Sequence, residues 1–197
     1  MALDDWHLIY DFWFGEDGRG TAAASARMNK WFSKNPDFDR EIREKFGPHL
    51  ESFQPEDYLS WRSQPKSMLS LVILLDQFPR NAYRGTARMF AYDHWALAFA
   101  KEAVAKNDHQ ELAFSESMFL LMPYEHSESR ADQADSLRLF TELAQRDPKA
   151  GAELVDYARR HKEIIDRFGR FPHRNQTLGR PSTPEELEFL TQPGSGF

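Results

Sequence analysis

Five consecutive aliphatic residues, Leu71-Val72-Ile73-Leu74-Leu75 inside the segment Ser67–Phe78, constrain this chain more than any other feature. A run without a polar position is buried on every side, as a central strand or as a helix in the middle of a core. A strand needs neighbours to satisfy its backbone N–H and C=O groups. No second convincing strand pattern occurs along the chain. The run therefore predicts a central, enclosed helix and an all-α fold. It is also far short of the ~20 apolar positions that a bilayer span needs.

The remaining segments read as helix after helix. Leu3 to Phe14 is apolar and aromatic and stops at Gly15, and Asp17 to Ala24 looks like a Gly/Ala-rich loop. Asn35-Pro36 is a cap followed by proline in the first turn, leading into Phe38, Ile42 and Phe46 until Gly47-Pro48. Pro55 opens a short helix. Further helices are expected over Thr86–Lys106, Leu112–Leu121 (ending near Pro123), Ala131–Ala144 and Ala150–Phe168, the last closed by Gly169. Thr183-Pro184-Glu185-Glu186 is a capping box before Leu187 and Leu190. Short connections between these segments imply antiparallel helix pairs in a single domain over residues 1–197.

Composition removes several functions. Cysteine is absent, which excludes disulfide scaffolds, thiolate zinc sites and cysteine nucleophiles. Met1-Ala2-Leu3-Asp4-Asp5-Trp6 has neither the basic region nor the apolar run of a signal peptide, so a cytoplasmic protein is expected. A net charge of −6 argues against a nucleic-acid partner, and nothing points to a membrane. Arg outnumbers Lys about two to one and concentrates in two islands, Arg80 to Arg88 and Arg159 to Arg180. Focused guanidinium islands suit a discrete anion.

Polar residues interrupt three apolar stripes: Asp93 with Phe90 and Leu97, Gln133 with Leu137 and Phe140, and His161 between Leu154 and Phe168. A buried polar or charged group is costly unless something satisfies it, and the two basic islands could supply arginine to Asp93. Two strings follow apolar helices in similar form. One is Asp76-Gln77-Phe78-Pro79-Arg80-Asn81 before Arg84-Gly85. The other is Asp166-Arg167-Phe168-Gly169-Arg170-Phe171-Pro172-His173-Arg174-Asn175 before Leu178-Gly179-Arg180. Each is read as a helix end turned sharply by proline, either walling an anion site or merely capping carbonyls. A third segment, Met122-Pro123-Tyr124-Glu125-His126-Ser127-Glu128, places a titratable Glu–His pair in a loop broken by proline. Glu125, His126, His161 and His173 lack helical metal-ligand spacing, and no Gly-x-Gly-x-x-Gly or Gly-x-Ser-x-Gly occurs. No metal or cofactor is expected.

The strings Leu75–Asn81, Met122–Glu128 and Phe168–Asn175 resemble the bacterial family known as domain of unknown function 924. The resemblance runs from Phe12-Trp13-Phe14-Gly15 through Ser182-Thr183-Pro184-Glu185-Glu186 to the Gly194-Ser195-Gly196-Phe197 tail, with Tyr124 where the family string is expected to carry Phe. It implies an all-helical fold like that of tetratricopeptide-repeat proteins, and it implies no activity.

The leading expectation is a site for a small carboxylate or phosphate. Arg80, Asn81, Arg84, Arg170, His173, Arg174 and Asn175 would bind it, with Glu125, His126 and His161 as acid–base candidates. The alternative is a module that binds a protein or peptide in a groove lined by Trp6, Trp13, Trp31 or Trp61, the polar loops being purely structural.

Overall fold

The aliphatic run is helical. In the computed structural model, which describes residues 5–15, 27 and 29–196, the described residues contain helices and no strand. Helix α1 (His7–Phe14) stops at Gly15, as its composition suggests. Leu3, the loop expected over Asp17–Ala24 and the terminal Phe197 lie outside the described residues. Helix α2 (Pro36–Glu51) begins at its expected cap, the Asn35 side chain accepting from Asp37 N and Phe38 N at 3.1 Å each. It continues through Gly47-Pro48, where an end was expected. Proline removes only its own N–H, and one missing bond so near the C-terminus is tolerated when the flanking Phe46 and Leu50 are buried.

After a 3-10 segment (Pro55–Ser63) comes α3 (Pro65–Ala82), with every residue from Ser67 to Pro79 buried. Each enclosed Leu, Ile or Val contributes roughly 1.5–3 kcal/mol. Helices α1 and α2 pack against α3, as do α4 (Asp93–Ala105) and α6 (Phe114–His126). The expected Thr86–Lys106 helix is shorter at its start. Residues 86–92 form a 3-10 turn (Ala87–Phe90) and a bend, so Asp93 opens α4 rather than sitting within it. This stretch is held to the end of α2: Tyr92 Oη donates to Leu50 O at 2.5 Å, and Arg88 pairs with Glu51.

The one-turn α5 (Asp108–Glu111) leads into α6. Helices α7 (Arg130–Ala144) and α8 (Pro148–Phe168) are joined by three residues and pack along their lengths, which makes them antiparallel. Their approach is close: a Cβ on Gly151 would stand 2.4 Å from Ala144 Cα. Gly169, at φ 70°, ends α8 in the left-handed region, and Pro172–Arg174 forms a 3-10 turn. Helix α9 (Pro184–Leu190) carries the expected capping box, with Glu186 N on Thr183 Oγ1 at 3.2 Å and Thr183 N on Glu186 Oε2 at 2.8 Å.

One apolar cluster spans α1 to α8. It encloses Trp13, Trp31 and Trp61, which therefore do not line an exposed groove; Trp6 is half-buried against it. No helix among the described residues is long and apolar enough to cross a membrane.

Candidate functional site

Asp76 and Arg80 stand four residues apart on α3 and share one face. The aliphatic core holds that face inside the protein, and Asp76 is fully buried. Its Oδ1 bonds His126 Nδ1 at 2.7 Å and lies 3.3 Å from Arg80 Nη1, while Oδ2 accepts from Gln77 Nε2 at 2.6 Å. Burial alone would raise the Asp76 pKa, but Arg80 and His126 outweigh it and hold it at about 2. An ionised carboxylate only accepts, so the proton in the His126 bond belongs to Nδ1. Burial, followed by the nearby Arg80 charge, keeps the imidazole below its ordinary range. At pH 7 it is neutral, with its lone pair on Nε2.

Both similar strings send an arginine to Asp93. Arg80 forms a fork on it, Nη1 to Oδ1 at 2.8 Å and Nη2 to Oδ2 at 3.0 Å, and Nη1 also donates to Asp76 O at 2.6 Å. Arg174 Nη1 stands 3.7 Å from the same Asp93 Oδ2. Only 7% exposed, the Arg174 guanidinium lies between two rings, 4.7 Å from the Phe90 centroid and 4.5 Å from that of Phe171. Its Nε has no hydrogen-bond partner. Burial, then repulsion by Arg80, lowers its pKa to about 10.

The remaining members are weak acids and bases taken out of water. Glu125 is 6% exposed, and its Oε1 makes no hydrogen bond, lying 3.8 Å from His161 Nδ1. Burial and the Asp76 charge push its pKa up to about 8, so the carboxyl is mostly protonated at neutrality. His161 Nδ1 lies 2.9 Å from Tyr157 O, a geometry in which Nδ1 carries the proton. Burial takes His161 to about 3, and burial with the Arg174 charge takes His173 to about 4. The cluster meets solvent along Asp93, Arg80 and His126, whose side chains are 22%, 16% and 14% exposed.

Two arrangements fix this geometry. Gln133 Nε2 donates to Tyr124 O, Glu125 O and Ser127 O at 3.3, 2.7 and 2.7 Å, satisfying carbonyls at the end of α6. This explains a polar residue on an apolar stripe. Glu128 accepts the Arg180 fork at 2.7 and 2.9 Å and Phe171 N at 2.7 Å, tying the chain after α6 to the turn that carries Arg174.

The structure thus gathers Arg80, Arg174, Glu125, His126, His161 and His173. It does not bring in four other candidates. Asn81 and Arg84 both bind Asp39, at 2.9 Å and at 2.7 and 2.9 Å. Arg84 lines a separate groove of about 510 Å³ with Arg43, Glu51, Tyr83, Thr86 and Arg88. Arg170 forks onto Glu186 at 2.6 and 2.7 Å, and Asn175 reaches Ser182 at 3.0 Å and Glu186 at 3.2 Å. Their hydrogen-bonding groups hold the scaffold. Nor do Glu125 and His126 lie in a loop: they form the last turn of α6, which passes through Pro123 because its other backbone bonds survive. Sequence reasoning missed Asp76 as a member, although its i, i+4 spacing from Arg80 was the available signal. Among the described residues no group of three or more His, Asp or Glu is arranged to hold a metal ion.

A comparison with curated proteins finds no match. The chain is similar to a solved structure, that of the protein of unknown function ATU0120 from Agrobacterium tumefaciens. The two share 35% identity over 94% of this chain and 96% of that one, with a TM-score of 0.79. The family model described as bacterial protein of unknown function (DUF924) matches residues 9–194. With nearly the whole chain matched, and with the three strings that carry the resemblance forming or flanking the buried cluster, this protein belongs to the DUF924 family.

Proposed function

We propose that the protein binds a small carboxylate or phosphate where the Arg174 cluster meets solvent. One observation carries the reading. Arg174 is a buried guanidinium that stands over the rings of Phe90 and Phe171 and whose acidic contact, Asp93, is already occupied by the Arg80 fork. Its Nε lacks a partner. A buried charged donor left unsatisfied is expensive, and an anion docking on the guanidinium edge would relieve that cost. Beside such an anion, neutral His126 would act as base and protonated Glu125 as acid, if the ligand reacts. The acidic net charge favours a reading without a nucleic-acid partner.

Thermal shift against a panel of carboxylates and phosphates tests it. A ligand at ~100 times its Kd adds roughly 2.7 kcal/mol. We expect a shift in the wild type and in Arg84→Gln, and none in Arg174→Gln. A wild type indifferent to the whole panel, or a full shift retained by Arg174→Gln, refutes the site.

A further inference from the structure

The anion reading leaves one property of the ligand open: what else it must carry. At the solvent edge of the cluster the carboxylates are already engaged. Both Asp93 oxygens hold the Arg80 fork, and Asp76 holds His126, Gln77 and Arg80. His126 Nε2 is the acceptor at that edge for which no protein donor is seen, because Asp76 keeps the ring proton on Nδ1. A lone pair joined to Arg174 through Asp76, Arg80 and Asp93 calls for a donor on a ligand that reaches both ends. An ammonium donor would enter where Arg80 and Arg174 already balance Asp76 and Asp93, so it meets no net attraction to offset its desolvation. A hydroxyl brings no charge.

Resting on that anion reading, we infer that the ligand carries a hydroxyl close to its anionic group, as in a hydroxycarboxylic acid or a polyol phosphate. Arg174 holds the anion and His126 Nε2 accepts from the hydroxyl. Asp76 is the positioning residue, since it orients the imidazole and fixes its tautomer.

Three probes that differ at one substituent decide it: malate carries the hydroxyl, succinate a hydrogen and aspartate an ammonium. Glycerol 3-phosphate against propyl phosphate repeats the contrast on a phosphate. Calorimetric titration of the wild type should show the hydroxyl member of at least one series binding tenfold or more tighter than its counterparts. His126→Asn keeps a donor for Asp76 but lacks the Nε2 acceptor, and should bring the members within about twofold. Should that variant fail to fold, the wild-type ratios stand. The 15N resonance of His126 Nε2 then adds a second readout, moving with the hydroxyl probe and not with the deoxy one. Equal binding of hydroxyl and deoxy members overturns this inference and leaves the anion site intact. So does tightest binding of aspartate, or a preference undiminished in His126→Asn. Failure of every probe to bind the wild type overturns the anion reading and this inference together.

Discussion

The strings Phe78-Pro79-Arg80-Asn81 and Phe171-Pro172-His173-Arg174-Asn175 read alike and fold differently. The first lies inside α3, where Pro79 is buried three residues before the last helical residue, Ala82. The second follows Gly169, which terminates α8, and Pro172 opens a 3-10 turn. Both arginines nevertheless reach Asp93, and both asparagines turn away to hold a scaffold carboxylate, Asp39 in one case and Glu186 in the other. The arginines also differ in how well they are satisfied. Arg80 has a fork, a backbone carbonyl and Asp76, while Arg174 has a shared carboxylate and two rings. Similar local sequence delivered the same side chain to one place by two backbones, with one arginine fully paired and the other only partly.

That difference can be broken by substitution. Arg80→Ala leaves Asp76 and Asp93 without their principal cation and should cost about 3–5 kcal/mol, the range for breaking a buried pair. Arg174→Ala should cost less than half as much in urea unfolding while abolishing the anion shift. Equal losses, with no effect on ligand, would make the two arginines equivalent and purely structural.

Protonation sharpens the same contrast. Glu125, raised to about 8, supports the fold fully below its unfolded pKa near 4.5 and loses that contribution as pH rises through 8. His161 and His173, lowered to about 3 and 4, support it above their unfolded pKa near 6.5 and lose that contribution as pH falls toward those values. These opposing slopes place maximum stability near pH 6.5. Between pH 6.5 and 8 a single proton accounts for at most about 2 kcal/mol. Glu125→Gln should flatten the alkaline fall and steepen the rise between pH 4.5 and 6.5, where the Glu125 slope otherwise opposes that of the two histidines. A fall of undiminished slope in that variant would remove Glu125 as its source.

Smaller effects separate the backbones. Gly169→Ala forces a Cβ into the left-handed region at the end of α8 and should cost about 1 kcal/mol, seen as a lower Tm. Arg84→Ala, a half-exposed pair with Asp39, should cost no more than about 1 kcal/mol and leave the anion shift untouched. A larger loss from Arg84→Ala than from Arg80→Ala would invert the assignment of scaffold and site.

Much of the fold was legible because its signals are local. The aliphatic run of α3, the Asn35 cap and the Thr183–Glu186 box each act within a few residues, and each stands where the sequence places it. Three misplaced helix ends share one cause. Pro48, Pro79 and Pro123 were read as helix ends, yet each sits inside a helix. Proline forfeits one backbone bond and cannot, near a C-terminus, outweigh the burial of the residues around it.

By itself the sequence determined the helical class, the central helix and the residue types that needed partners, because periodicity, capping and the burial cost of polar groups follow from neighbouring residues alone. Which partners they found was decided only by tertiary structure. Asp93, Asp76 and His126 lie on three helices, and Arg174 comes from a turn roughly a hundred residues further along the chain than Asp76. No local rule distinguishes Arg80 from Arg84, four residues apart; the packing of α2 and α4 against α3 sends one to Asp93 and the other to Asp39.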